Sequence, residues 1–260
     1  MNGEELEEAV ILGPGTEDKT VVTALSGIEF TTPSPLKKEG GYVLAVKRKS
    51  TFFTKTTEGY KRQPQKGLKS VLSSGYYHSY MKAVANVGEV GGKVDTVVGH
   101  DLEILPLVNP LALGPGDDLP IKVLLRGKPF KTEFLATYGG FSTENGVYAY
   151  AASTDKRGMG KIRILASGAC LIKMNYKEPY KDPEMCDDVY GLCTFTGTVV
   201  EDMGVAAIYA AGESSARIWS GRNVFRFSIL VHLMVVLLAM AGLQQILDDS
   251  SRIDIYCLLP

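Results

Sequence analysis

Short runs of alternating or β-branched residues, cut by glycine and proline clusters, dominate the chain as far as Val200. Residues 21–25, 27–31, 42–48 and 51–56 read as strands, with a turn cluster over 33–41. Over 65–73, Leu68, Val71 and Leu72 stand at near-helical spacing before Gly75, which predicts a short helix. Residues 76–87 alternate as a strand does, and the glycine-rich 88–99 has no period and reads as a linker. Strand runs then recur at 102–107, 121–125, 132–138, 148–154, 160–165 and 169–176. Turns separate them at Pro115-Gly116-Asp117, Arg126-Gly127-Lys128-Pro129, Gly139-Gly140, 155–158 and 166–168. Alternation such as Lys161-Ile162-Arg163-Ile164 gives each strand one core face and one wet face.

The pattern predicts a mainly β protein: one or two immunoglobulin-like antiparallel β-sandwich modules plus a C-terminal apolar helix. The expected organisation is an acidic, disordered N-terminal segment over 1–19, a β-rich module over 20–98, a sandwich over 99–200 and an atypical tail over 201–260. Within that tail the run 227–247 is almost wholly apolar in its first part, broken by Ser228 and His232. Its length is near the lower limit for a membrane span, so it reads equally as an anchor or as a packed helix. If it spans, Arg217, Arg222 and Arg226 before it would set the preceding part of the chain on the cytoplasmic side. The first residues lack the basic head and apolar stretch of a secretory signal, so the chain reads as cytoplasmic or as missing its start.

The net charge of −1 singles out no partner, but its distribution is uneven. Residues 37–82 are rich in lysine and arginine, whereas the first twenty residues and 178–202 are acidic. A basic face of this kind can meet phosphates or anionic lipid, or simply be solvated and pair with the acidic segments. Among the four cysteines, Cys186 and Cys193 flank a turn-like stretch and could pair in an oxidising compartment, while Cys170 reads as a buried thiol.

Several segments together resemble a bacterial family of uncharacterised domain, described as the periplasmic component of cobalt/nickel uptake systems. They are Phe53-Thr54-Lys55-Thr56-Thr57-Glu58-Gly59-Tyr60, Gly99-His100-Asp101-Leu102-Glu103-Ile104-Leu105-Pro106-Leu107-Val108-Asn109-Pro110, Pro115-Gly116-Asp117, Ala136-Thr137-Tyr138-Gly139-Gly140-Phe141 and Asn175-Tyr176-Lys177-Glu178-Pro179-Tyr180-Lys181-Asp182-Pro183. The resemblance implies a non-catalytic β-sandwich protein of the periplasm or cell envelope, working beside a membrane transporter of nickel or cobalt. No nucleic-acid partner is expected, and membrane association could run through 227–247.

Nickel and cobalt favour imidazole, with carboxylate or thiolate beside it. His78 and His100 are therefore candidate ligands, as are Glu178, Asp182 and Cys186 on the acidic loop. Each has a bland alternative: aromatic packing for His78, a solvated or backbone-bonded ring for His100, and a solvated loop for the acids. His232 reads better as a hydrogen-bond donor inside the apolar run. For hydrolysis the pattern is poor, because Gly-x-Ser-x-Gly is absent and the adjacent His100 and Asp101 would point to opposite faces of a strand. The expectation is a binding protein rather than an enzyme, with a protein- or glycan-recognising module as the alternative to a metal role.

Overall fold

The computed structural model describes residues 6–14 and 36–200, together with the backbone of 19–21, 23–26 and 29–31. The expected apolar helix at 227–247, His232 and Cys257 lie outside the described residues. Among the described residues the elements are strands, one short 3-10 turn (Pro110–Ala112) and loops. No helix there is long and apolar enough to cross a membrane.

In chain order the strands are β1 (Leu6–Leu12), β2 (Lys19–Val21), β3 (Thr23–Ser26), β4 (Glu29–Thr31), β5 (Gly40–Arg48), β6 (Thr51–Thr56), β7 (Gly59–Lys61) and β8 (Val71–Val87). They continue as β9 (Leu102–Pro106), β10 (Asp118–Leu125), β11 (Lys128–Pro129), β12 (Glu133–Tyr138), β13 (Tyr150–Ser153), β14 (Met159–Arg163), β15 (Gly168–Pro179) and β16 (Asp188–Val199). The larger sheet runs β13-β12-β15-β16-β8-β5-β1-β2, with β6 also on β8 and β7 on β6. A smaller sheet joins β11, β10 and β14, with β9 on the other edge of β10. β3 and β4 form a separate pair.

Several expectations change. The segment 1–19 was expected to be disordered, yet Leu6–Leu12 is a strand paired with β5; Ala9, Val10 and Ile11 are buried there. No helix forms over 65–73. Instead the Gln65 turn is held by the 183–187 loop, and the chain enters β8 at Val71. The turn-like reading of 186–192 also fails, because β16 begins at Asp188.

The sheet is mixed rather than antiparallel: β16 runs parallel to β8, with Cys193 opposite Tyr80 and Phe195 opposite Lys82. Parallel neighbours need a long crossover. Here residues 88–187 provide it and build the small sheet on the way. Strands on both sides of the glycine-rich 88–99 therefore share one hydrogen-bonded sheet. The 88–99 strap packs in as well, with Val94 buried in the main core.

That core draws side chains from both sheets: Tyr80, Val84, Phe134, Ile172, Cys193 and Phe195 from the large one, Leu102, Ile104, Ile121 and Ile162 from the small one. The opposite face of the large sheet has its own cluster of Ala9, Ile11, Tyr42, Val46 and Met81. Alternation along β8 explains the division, since Tyr80 and Met81 must point to opposite faces.

Candidate functional site

Alternation also puts Tyr76, His78, Tyr80 and Lys82 of β8 on the main-core face. Their rings join a file that begins at the half-exposed end of the sheet. Phe52 meets Tyr76 at 4.4 Å and Tyr180 at 5.8 Å between centroids, and Tyr76 meets Tyr180 at 5.6 Å. The file continues from Tyr76 to His78 (4.8 Å), from His78 to Tyr80 (6.2 Å) and from Tyr80 to His100 (5.1 Å). It thus runs from the surface to a buried imidazole.

Polar groups flank the file. The Ser50 hydroxyl is 2.6 Å from His78 Nδ1, which orients that ring. Burial lowers the His78 pKa from its ordinary value, against a smaller opposing pull from Asp101. Tyr80 donates its hydroxyl hydrogen to Asp101 Oδ2 at 3.1 Å, and burial raises its pKa. Tyr176 of β15 brings its ring beneath the Arg126 guanidinium at 5.8 Å. Arg126 in turn pairs with Glu178 through both nitrogens, Nη1–Oε2 at 3.2 Å and Nη2–Oε1. Arg126 and Gly127 both have positive φ, 50° and 74°, as a two-residue hairpin turn between β10 and β11 requires. The Arg126 N–H donates to Asp101 O at 2.6 Å, which ties that turn to the site.

His100 is buried, and its Nδ1 has no hydrogen-bond partner among the described residues. Burial pushes its pKa down to about 4, overriding the nearby Glu103 carboxylate. The unfolded chain holds the imidazole near its ordinary value of about 6.5. The folded state then binds fewer protons, so stability is full above that value and falls as pH drops from about 6.5 towards about 4. Urea denaturation at pH 7 and pH 5 should show wild type losing more stability than His100→Gln over that window. Parallel pH dependences would show that His100 is not held neutral by the fold.

The five expected ligands do not converge. The Tyr80 ring stands between His78 and His100 in the file, and Glu178 is tied to Arg126. Asp182 lies in a separate loop, where Oδ1 accepts from Glu184 N at 3.1 Å and its carbonyl accepts from Met185 N at 2.9 Å. Cys186 is fully buried, its thiol donating to Asp188 O at 3.5 Å; burial pushes its pKa up to about 11, which disfavours a metal-binding thiolate. Among the described residues no group of three His, Cys, Asp or Glu side chains could hold a metal ion. These residues therefore do not fit one shared ion.

Cys186 and Cys193 are free thiols, as is Cys170. Cys193 lies five residues into β16 from Asp188, a rise of about 17 Å, well beyond a disulfide's span.

The acidic loop instead serves the fold. Asp187 accepts from Ser74 N at 2.8 Å and returns its own N–H to Ser74 Oγ at 2.9 Å. Gln65 Nε2 donates to Pro183 O at 2.6 Å, and Lys66 pairs with Glu184 at 2.9 Å. The expected pairing of basic and acidic segments is visible in that last contact.

Sequence reasoning placed His78 among tyrosines and His100 beside Asp101. It missed Ser50 and Arg126 as partners. The alternation of Tyr76, His78 and Tyr80 was the one local signal for a shared face.

The arrangement defines a β protein with an aromatic and imidazole file that runs from half-exposed Tyr180, Phe52 and Tyr76 to buried Tyr80 and His100. The chain belongs to the family described as Domain of unknown function (DUF4198), whose model matches residues 1–178. Asp182, Cys186 and β16 lie beyond that match, although β16 joins β15 to β8. No curated protein and no solved structure matches the chain.

Proposed function

We propose that the protein is a non-catalytic binding module of the cell envelope, a β-sandwich formed by the two sheets around their common core, that recognises a protein or glycan through the aromatic file. The observation that carries this reading is the unbroken series of ring contacts from Tyr180 through Phe52, Tyr76, His78 and Tyr80 to His100. Rings already fixed by one another lose little freedom on binding, and tyrosine adds a hydroxyl to its apolar area. The site favours recognition over chemistry: the His100 imidazole is buried, and Arg126 is already occupied by Glu178. The immobilised full chain should retain a defined partner from the source envelope, with Tyr76→Ala and His78→Ala reducing the captured amount by about tenfold or more. A partner retained equally by both variants would dismiss the file as the recognition surface.

A second reading keeps the association with nickel or cobalt uptake implied by the resemblance, with the metal as cargo and a membrane transporter as partner. Its support is His78, whose Nδ1 is engaged by Ser50 while Nε2 makes no hydrogen bond among the described residues. A neutral imidazole oriented in this way suits a borderline divalent ion. Calorimetric titration with nickel and cobalt chlorides separates the readings. Heat that saturates in wild type and disappears in His78→Ala supports the metal role, and no heat in either protein removes it.

A further inference from the structure

The face of the large sheet opposite the file is largely apolar across five strands. One cross-strand row runs Leu171, Thr196, Ala83, Leu44 and Ile11, from β15 through β16, β8 and β5 to β1. Four strand spacings make it about 19 Å wide. Met81, Val46 and Ala9 fill the next row, beside Thr194. Leu171, Thr196, Ala83, Ile11 and Thr194 are each at most 9% exposed. A sheet face is shielded to that degree only beneath a second layer. On the main-core side that layer is the small sheet. On this side, among the described residues, Leu36 is the apolar side chain from outside the strands that packs on the Met81 cluster. One leucine cannot roof five strands.

Two polar groups sit in the middle of this face. Thr194 Oγ1 and Thr196 Oγ1 are buried and have no hydrogen-bond partner among the described residues. Alternation puts both on the same side of β16, two residues and about 6.6 Å apart. A fitting cover is apolar over most of its surface and brings polar groups to two points at that spacing. Lipid tails meet the first requirement and fail the second, since they carry no hydrogen-bonding group. Residues 22–35 leave the sheet at β2, four strands from β16. The run 227–247 meets both requirements, being apolar as far as Leu243 apart from Ser228 and His232. In the helix that its sequence predicts, these two share one face with a rise of about 6 Å between them. Residues 201–226 span up to about 86 Å when extended, enough to return along the roughly 40 Å of β16.

We propose that the run 227–247 docks on this face as an intramolecular cover, with Ser228 and His232 against Thr194 and Thr196. Each threonine hydroxyl then gains a partner inside an otherwise dry contact, and the apolar residues of the run bury the row from Leu171 to Ile11. The segment long enough to anchor the chain in a membrane becomes part of the fold instead. The contact lies on the face opposite His78, so it stands or falls independently of the aromatic file.

Thiol labelling of the full chain tests the contact. In a Cys257→Ser background, Thr196→Cys should resist a maleimide, as should Cys193, which faces the main core from the same strand. Val235→Asp with Ala239→Asp charges the run on the helix face of His232. That pair should raise labelling at position 196 by about tenfold or more while Cys193 stays protected. Phe30→Asp, in the competing segment, should leave position 196 protected. Wild type mixed with phosphatidylglycerol and phosphatidylcholine vesicles should not float with them, because its apolar run is already occupied. The proposal is overturned if position 196 labels equally with and without the charged pair, if Phe30→Asp exposes it instead, if Cys193 opens together with position 196, or if wild type floats with the vesicles.

Discussion

Replacing Lys82 with methionine should cost about 3–5 kcal/mol of stability, because it strands a carboxylate in the interior. Lys82 Nζ lies 2.6 Å from Glu103 Oε2, and each side chain is 1% exposed. The pair crosses between the sheets, from β8 to β9. Lys82 also donates to Thr96 O at 3.0 Å, and Glu103 accepts from Val98 N at 3.2 Å and Gly99 N at 2.6 Å. One ion pair thus holds both sheets and the 96–99 part of the strap. Methionine fills much of the lysine volume, so the loss isolates the charge rather than the packing. For a chain of this size the expected fall in Tm is on the order of 10 °C. The double variant Lys82→Met with Glu103→Leu should recover only part of that loss, since it removes the stranded charge but leaves Val98 N and Gly99 N without their acceptor. Thermal and urea unfolding of the three proteins decide the matter. A Lys82→Met cost below about 1 kcal/mol would show that water reaches Glu103.

The same pair shows where the sequence stops being legible. Lys82 was one cation among many between 37 and 82, and nothing local distinguishes it from Lys61, which is exposed. The distinction comes from β8 alternation, which turns Lys82 inward beside Tyr80 and Val84, and from a partner on another sheet. Glu103 gave a stronger hint, because it interrupts the apolar Leu102-Ile104-Leu105 run; every residue of β9 is buried. Local turn chemistry was readable: the Arg126-Gly127 hairpin and the strands from β9 to β15 fall close to where glycine and proline punctuation put them. The helix expected over 65–73 was lost to tertiary contacts, because Gln65 and Ser74 bind a loop more than a hundred residues away. Strand β1 was obscured by its acidic start, although Ala9-Val10-Ile11 supplied the apolar residues that the β5 edge required. The histidines followed the same rule: their residue type suggested metal, whereas the Tyr80 ring that separates them comes from the fold.

Gly191→Ala should be the most damaging small change near the candidate site, at about 3 kcal/mol, the upper range for overpacking a core. Gly191 of β16 lies directly opposite Tyr176 of β15, and the tyrosine ring crosses the space a side chain would need. A Cβ there would stand 1.9, 2.4 and 2.6 Å from three ring atoms. The ring has little freedom to yield, because Tyr176 is part of the main core on one side and lies under Arg126 on the other. Its displacement would also disturb the Arg126–Glu178 pair and the turn that Asp101 anchors. The glycine is thus required by a neighbour's ring rather than by backbone conformation, since its φ is not positive. A double-mutant cycle isolates this cause: in a Tyr176→Ala background, where the ring is gone, Gly191→Ala should cost less than about 1 kcal/mol. An equal cost in both backgrounds would place the penalty in the β16 backbone and remove Tyr176 as the reason for the glycine.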